Sequence, residues 1–198
     1  ISIDTAANPT IDRCKIYNSK MYGISVSENG LGHILHSDIF ENGFANISID
    51  TAANPTIDRC KIYNSKMYGI SVSENGLGHI LHSDIFENGF ANISIDTAAN
   101  PTIDRCKIYK SKQNGIRVTD NGLGHIFNSD IFDNTFDHQI HLKNNSELTL
   151  TNSNVCNGGE YGIYIENSIL NMGNNIVANH SKMNIYQDEQ SKVLTILP

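Results

Sequence analysis

The feature that most constrains this chain is a repeat. Residues 1–46 recur unchanged at 47–92, and residues 93–138 copy them again with 12 substitutions. Each 46-residue unit divides into two similar halves of 23, with MYGISVSENGLGHILHSDIFENG lying over FANISIDTAANPTIDRCKIYNSK without a gap. Ile24, Ile47, Ile70, Ile93 and Ile116 mark one row, Ile11, Ile34, Ile57, Ile80 and Ile103 a second, and Ile16, Ile39, Ile62, Ile85 and Ile108 a third. A period this short requires units that bury their apolar faces only against their neighbours.

Each half carries three short alternating runs, such as Ile24-Ser25-Val26, His33-Ile34-Leu35 and Asp38-Ile39-Phe40. Alternation with period two is the strand signal. Glu28-Asn29-Gly30, the His36-Ser37 bend and Glu41-Asn42-Gly43 supply turn chemistry between the runs. No run is long enough, or free enough of Gly, Asn and Ser, to form a helix. Three short strands per turn, stacked in register, predict an all-β parallel solenoid of about eight 23-residue coils. The L-x-x-L-x-L frame of a leucine-rich repeat is missing, and 23 is not divisible by the six of a hexapeptide helix.

The rows then assign faces. The isoleucine rows, Met21/Phe44/Met67/Phe90 and Cys14/Ser37/Cys60/Ser83/Cys106 are expected inward. Cysteines in that last row are two coils apart, ~9.6 Å by the strand spacing, beyond the ~7 Å a disulfide spans. Reduced core thiols are expected, compatible with a reducing compartment. Outward, Lys15, Asp38, Lys61, Asp84, Lys107 and Asp130 alternate in charge and oppose a one-coil slip. Arg13, His36, Arg59, His82 and Arg105 form a neighbouring basic row, read as solvated edge charges.

Residues 1–138 form the regular coils, and 139–198 are expected to be degenerate coils and a C-terminal cap of the same domain. One residue is inserted before Ile140, and the row continues at Ile163 and Ile185. Val193 to Pro198 reads as a terminal strand or cap, with Pro198 unable to donate a ladder hydrogen bond. Ile1 opens in mid-strand with no signal-peptide pattern, so upstream coils are expected to be missing from this chain.

The phrases NPTIDRCKIY, GISVSENGLG and SDIFENG, at 8–43, 54–89 and 100–134, resemble the parallel β-helix repeats of the pectin-lyase-like superfamily. They are similar in particular to the carbohydrate-binding and sugar-hydrolase type repeats found in F-box ubiquitin-ligase adaptors and in many bacterial proteins. The resemblance implies a right-handed β-helix. In F-box adaptors the β-helix recruits a protein, though no F-box segment is present here. The D-P-H-E signature of alginate epimerases is also absent.

Enzymes of this superfamily place catalytic groups outward on the first strand of the coil. In the identical repeats those positions are Ser25, Ser48, Ser71 and Ser94, flanked by Ser27, Asp50, Ser73 and Asp96. Asp50 and Asp96 stand ~9.6 Å apart, at the far edge of the ~6.5–9.5 Å of an inverting glycosidase. Nothing in the sequence raises the pKa of either. Farther along, the first row becomes Arg117, His141, Tyr164 and Tyr186, and the second Thr119, Lys143 and Glu166. Arg117 or Lys143 could neutralise a uronate while His141 or Tyr164 takes its α-proton. A binding site would use the tyrosines for stacking.

Arg117, His141, Lys143, Tyr164, Glu166 and Tyr186 are therefore the candidate binding residues. No cofactor or metal site is expected, because same-row His33, His79 and His125 or His36 and His82 lie too far apart to share an ion. The net charge of −7 argues against nucleic acid. With 39% hydrophobic residues, no apolar run can span a bilayer. The expected partner is another macromolecule, a protein first and a polysaccharide as the alternative.

Overall fold

The computed structural model describes residues 1–134 and 136–196. The chain winds into a right-handed solenoid whose coils each contribute one strand to three parallel sheets. The first sheet stacks nine strands from Ser2–Ile3 to Met183–Gln187, the second nine from Thr10–Asp12 to Lys192–Thr195, and the third eight from Lys15–Tyr17 to Ile176–Ala178. The expected runs are themselves strands: Ile24–Val26, His33–Leu35 and Asp38–Phe40. The inward isoleucines pair like on like, as in Ile24 on Ile47, Ile34 on Ile57 and Ile39 on Ile62.

Period-two strands on three sides of a tube send three isoleucine rows to one axis. Ile47, Ile57, Ile62 and their counterparts in the inner coils are fully buried, while Ile11, Ile16 and Ile185 in the end coils are partly buried. Each fully buried side chain contributes ~1.5–3 kcal/mol by leaving water. The insertion is absorbed without loss of register, since Ile116 pairs with Ile140 and Ile140 with Ile163. Lys192–Thr195 is the expected last strand; Leu197 and Pro198 lie outside the described residues.

At the corner leading into the first sheet, buried amides form a ladder of their own. Asn42 donates to Asn46 at 2.8 Å, Asn46 to Asn88 at 3.2 Å, Asn88 to Asn92 at 2.8 Å and Asn92 to Asn134 at 3.1 Å. Gln139 takes the next rung. Asn46 and Asn92 each begin an Asn-Ile-Ser sequence, but both side chains are spent inside this ladder and are inaccessible.

Several face assignments change. Met21 is 57% exposed and Phe44, Met67 and Phe90 are half-buried, so that row is not core. It sits on the outer side of the corner, where Phe44 and Phe90 pack edge-on against Tyr68. Cys60 and Cys106 are buried, and burial pushes their thiols up to about 11 and about 12. Cys14 is exposed. The Lys/Asp row keeps its register, Asp38 between Lys15 and Lys61, but the ion pairs among the described residues form elsewhere. Beside it runs a feature absent from the expectations: Tyr17, Phe40, Tyr63, Phe86, Tyr109 and Phe132 stack face to face at 5.0 Å.

The basic row is paired rather than merely solvated. Asp58 accepts from Arg59 at 2.6 Å and contacts His82 at 2.8 Å, and Asp12 does the same for Arg13 and His36. The row marks a left-handed bend, with φ of 53° at Arg59, 45° at His82 and 52° at Asn128. Asn tolerates that conformation best among non-glycine residues. Arg59→Asn is expected to raise stability by ~0.5 kcal/mol, since the exposed ion pair it removes contributes little. The urea midpoint checks this, and an unchanged or lower midpoint refutes it.

Candidate functional site

The outer face of the first sheet is built from two adjoining rows. Along the middle of the strands run Ser25, Ser48, Ser71, Ser94, Arg117, His141, Tyr164 and Tyr186. Three residues earlier in each coil run Ala45, Tyr68, Ala91, Asn114, His138, Tyr161 and Met183. Residues three apart normally face opposite sides of a strand. Here both lie in the strand His138–Lys143, but Gln139 and Ile140 are both buried, so the alternation is interrupted between them. His138 and His141 consequently share the outer face, with ring centroids 5.2 Å apart.

Four of the six candidates converge there. His141 Nε2 lies 3.4 Å from Glu166 Oε2. Its ring meets Tyr164 edge to face at 5.4 Å, and Tyr164 stacks on Tyr186 at 4.6 Å. Lys143 pairs in register with Glu166 on the same face. Arg117 is one strand away, in register with His141, and its charge acts on Asp96 and Asp120.

Asp137, His138, Tyr161 and Lys182 complete the cluster and were not among the candidates. His138 is 7% exposed, contacts Asp137 at 2.8 Å and stacks on Tyr164 at 4.6 Å. Lys182 lies over the Tyr161 ring at 5.5 Å and pairs with Glu160 at 2.6 Å. The available signal was positional: each lies on the corner row that carries alanine or tyrosine upstream, or beside it. Stacking by His138 on one side and Tyr186 on the other uses up both ring faces of Tyr164, which presents its edge and hydroxyl rather than an open platform.

The environment sorts these groups by proton affinity. Burial, then the neighbouring His138, lowers the pKa of His141 below its ordinary 6.5. Burial and the Glu166 charge hold the Tyr164 phenol protonated, pushing it up to about 12. Tyr164 is thus a donor, and of the two bases considered only His141 suits the role. The His138 contact lowers the Asp137 carboxyl. Asp137, His138 and His141 offer donor atoms within 4.8 Å of one another. Each already has a partner within the protein, His138 with Asp137 and His141 with Glu166. The reading of Asp96 also changes, because burial raises its pKa.

Three parallel sheets wound into a right-handed coil define the parallel β-helix class of solenoid proteins. The chain matches the family model described as "Right handed beta helix region" at residues 1–137 and 49–196, and it belongs to that family. It is similar to a solved variant of the periplasmic alginate epimerase AlgG, at 19% identity and TM-score 0.77, covering 96% of this chain and 49% of that one. It is similar to pectate lyase Pel9A at 10% identity and TM-score 0.71, covering 97% and 64%. The Azotobacter vinelandii mannuronan C-5 epimerase AlgE4 A-module follows at 14% identity and TM-score 0.67, covering 93% and 63%. The chain spans less than two thirds of each of these structures. At such identities the likeness shows the fold alone. No curated protein matches the sequence.

Proposed function

We propose that this β-helix binds an acidic polysaccharide along the outer face of its first sheet and removes the proton α to a uronate carboxylate there. The observation that carries the reading is His141: a half-buried imidazole of lowered pKa, held between Glu166 and a protonated Tyr164. A neutral imidazole can accept a proton near neutral pH. Arg117 or Lys143 supplies the cation that stabilises charge developing on the carboxylate. Tyr164 can return a proton to the departing glycosidic oxygen, so the C5 electron pair forms the new double bond as the C4–O bond breaks. Solved structures of similar fold act on alginate or pectate by their printed names, which supports a polysaccharide over a protein partner. The missing D-P-H-E signature favours elimination over epimerisation.

The test is incubation of the chain with pectate, alginate and a neutral glucan in deuterated buffer. Product absorbance reports elimination, and loss of the C5 proton signal reports abstraction whatever follows it. Signal from uronate polymers alone supports the reading. No exchange and no retention on any immobilised glycan would return the protein-binding scaffold to first place.

The acid limb of kcat/KM is expected below pH 6.5, because the folded protein holds His141 neutral to lower pH than a free imidazole. The sign for stability is the same. Between the lowered pKa and 6.5 the unfolded chain binds more protons, so this group favours folding fully above 6.5 and loses its contribution as pH falls. An acid limb at or above 6.5 would count against His141 as the base.

A further inference from the structure

The aromatic ladder on the third sheet stops abruptly. Phe132 stacks on Tyr109 at 5.0 Å with planes 8° apart. The next two positions in its row are Cys156 and Ala178. Their short side chains leave a notch of about 530 Å³ beyond the Phe132 ring, bordered by Lys107, Asp130, Asn154 and Ile176. No further ring stacks on Phe132 among the described residues, and Ile176 beside the notch is 62% exposed. Asn154 Nδ2 donates to Asp130 Oδ1 at 2.8 Å, which leaves Asn154 Oδ1 and Asp130 Oδ2 free to accept. Lys107 enters no ion pair among the described residues.

We infer that this notch is a second saccharide site, in which one pyranose occupies the vacant rung. Its C–H face would lie on Phe132, as the aromatic rings do on one another, and its hydroxyls would meet Asp130, Asn154 and Lys107. An apolar ring face beside a paired carboxylate and amide matches a sugar, which is apolar on its face and polar around its edge. A purely aromatic guest would leave those polar groups without partners, at a desolvation cost. The inference rests on the saccharide part of the reading above, but it uses a different sheet and no residue of the first site.

Cys156 makes the site testable, because it forms the wall and its thiol is only partly buried. In a Cys14→Ser background, with Cys60 and Cys106 buried, alkylation follows Cys156 alone. Methyl pyranosides of glucose, galactose and mannose are titrated in, with saturation-transfer NMR as a second readout. At least one is expected to slow alkylation about threefold at twice its dissociation constant. Cys156→Tyr combined with Ala178→Phe refills both rungs; the double variant is expected to abolish saturation transfer while keeping or raising Tm, and to leave C5-proton exchange on uronates unchanged. His141→Gln should do the reverse, so the two readings fail separately. The inference is overturned if no pyranoside protects Cys156, if the Cys156→Tyr, Ala178→Phe variant still binds, or if phenol protects where sugars do not.

Discussion

Replacing His141 with glutamine is expected to lower turnover of a uronate polymer by ~10²–10⁴-fold, the range a positioned general base supplies. That loss corresponds to ~3–5 kcal/mol of transition-state stabilisation. Glutamine can keep a polar contact to Glu166 but cannot accept the α-proton. His141 sits on the outer face, away from the isoleucine core, so circular dichroism and Tm should stay close to the parent. The measurement is kcat/KM from product absorbance, paired with retention on immobilised pectate. A variant with parental turnover would remove His141 from the chemistry. A variant that also lost retention would make it a binding group.

Asn88→Ala is expected to be the most damaging conservative change in the regular coils. The Asn88 side chain accepts from Asn46 at 3.2 Å and from the Ser65 backbone N–H at 3.0 Å, and donates to Asn92 at 2.8 Å and the Phe86 carbonyl at 3.0 Å. It is fully buried, so truncation strands partners that water cannot reach. Leaving buried groups unmade costs ~1–3 kcal/mol each. Partial compensation, such as the Asn46 contact to the Tyr63 carbonyl, holds the expected total to ~3 kcal/mol. Urea unfolding followed by far-UV dichroism measures it. A loss under ~1 kcal/mol, no more than one ordinary hydrogen bond, would mean that the ladder is incidental to stability.

The fold was legible because its physics is one-dimensional. With a period of 23 and a side-chain alternation of two, the isoleucine rows specify which residues meet, and every pairing in the regular coils follows from addition. Where alternation breaks, the reading failed. Met21 and Phe44 are apolar but stand on the outside of a corner, a distinction hydropathy does not carry. The aromatic ladder is outward, as alternation about Ile16 and Ile39 requires, but nothing in hydropathy marks its rings as stacked on one another. Repetition creates a second way to bury a ring, against its own copy one coil away.

For the candidate site, His141, Tyr164, Tyr186 and Glu166 were found because they share rows on strands of known register. His138 and Asp137 were missed because an inserted residue and an interrupted alternation determine their direction. The sequence by itself determined the coil, its register and the stretch where the outer face gains chemistry, since these depend only on spacing along a repeat. Only the tertiary structure decided which imidazole is partly desolvated, which phenol stays protonated and where the aromatic ladder leaves a rung empty. Those properties depend on burial and on neighbours from other coils, and two copies of one residue at equivalent positions can differ in both.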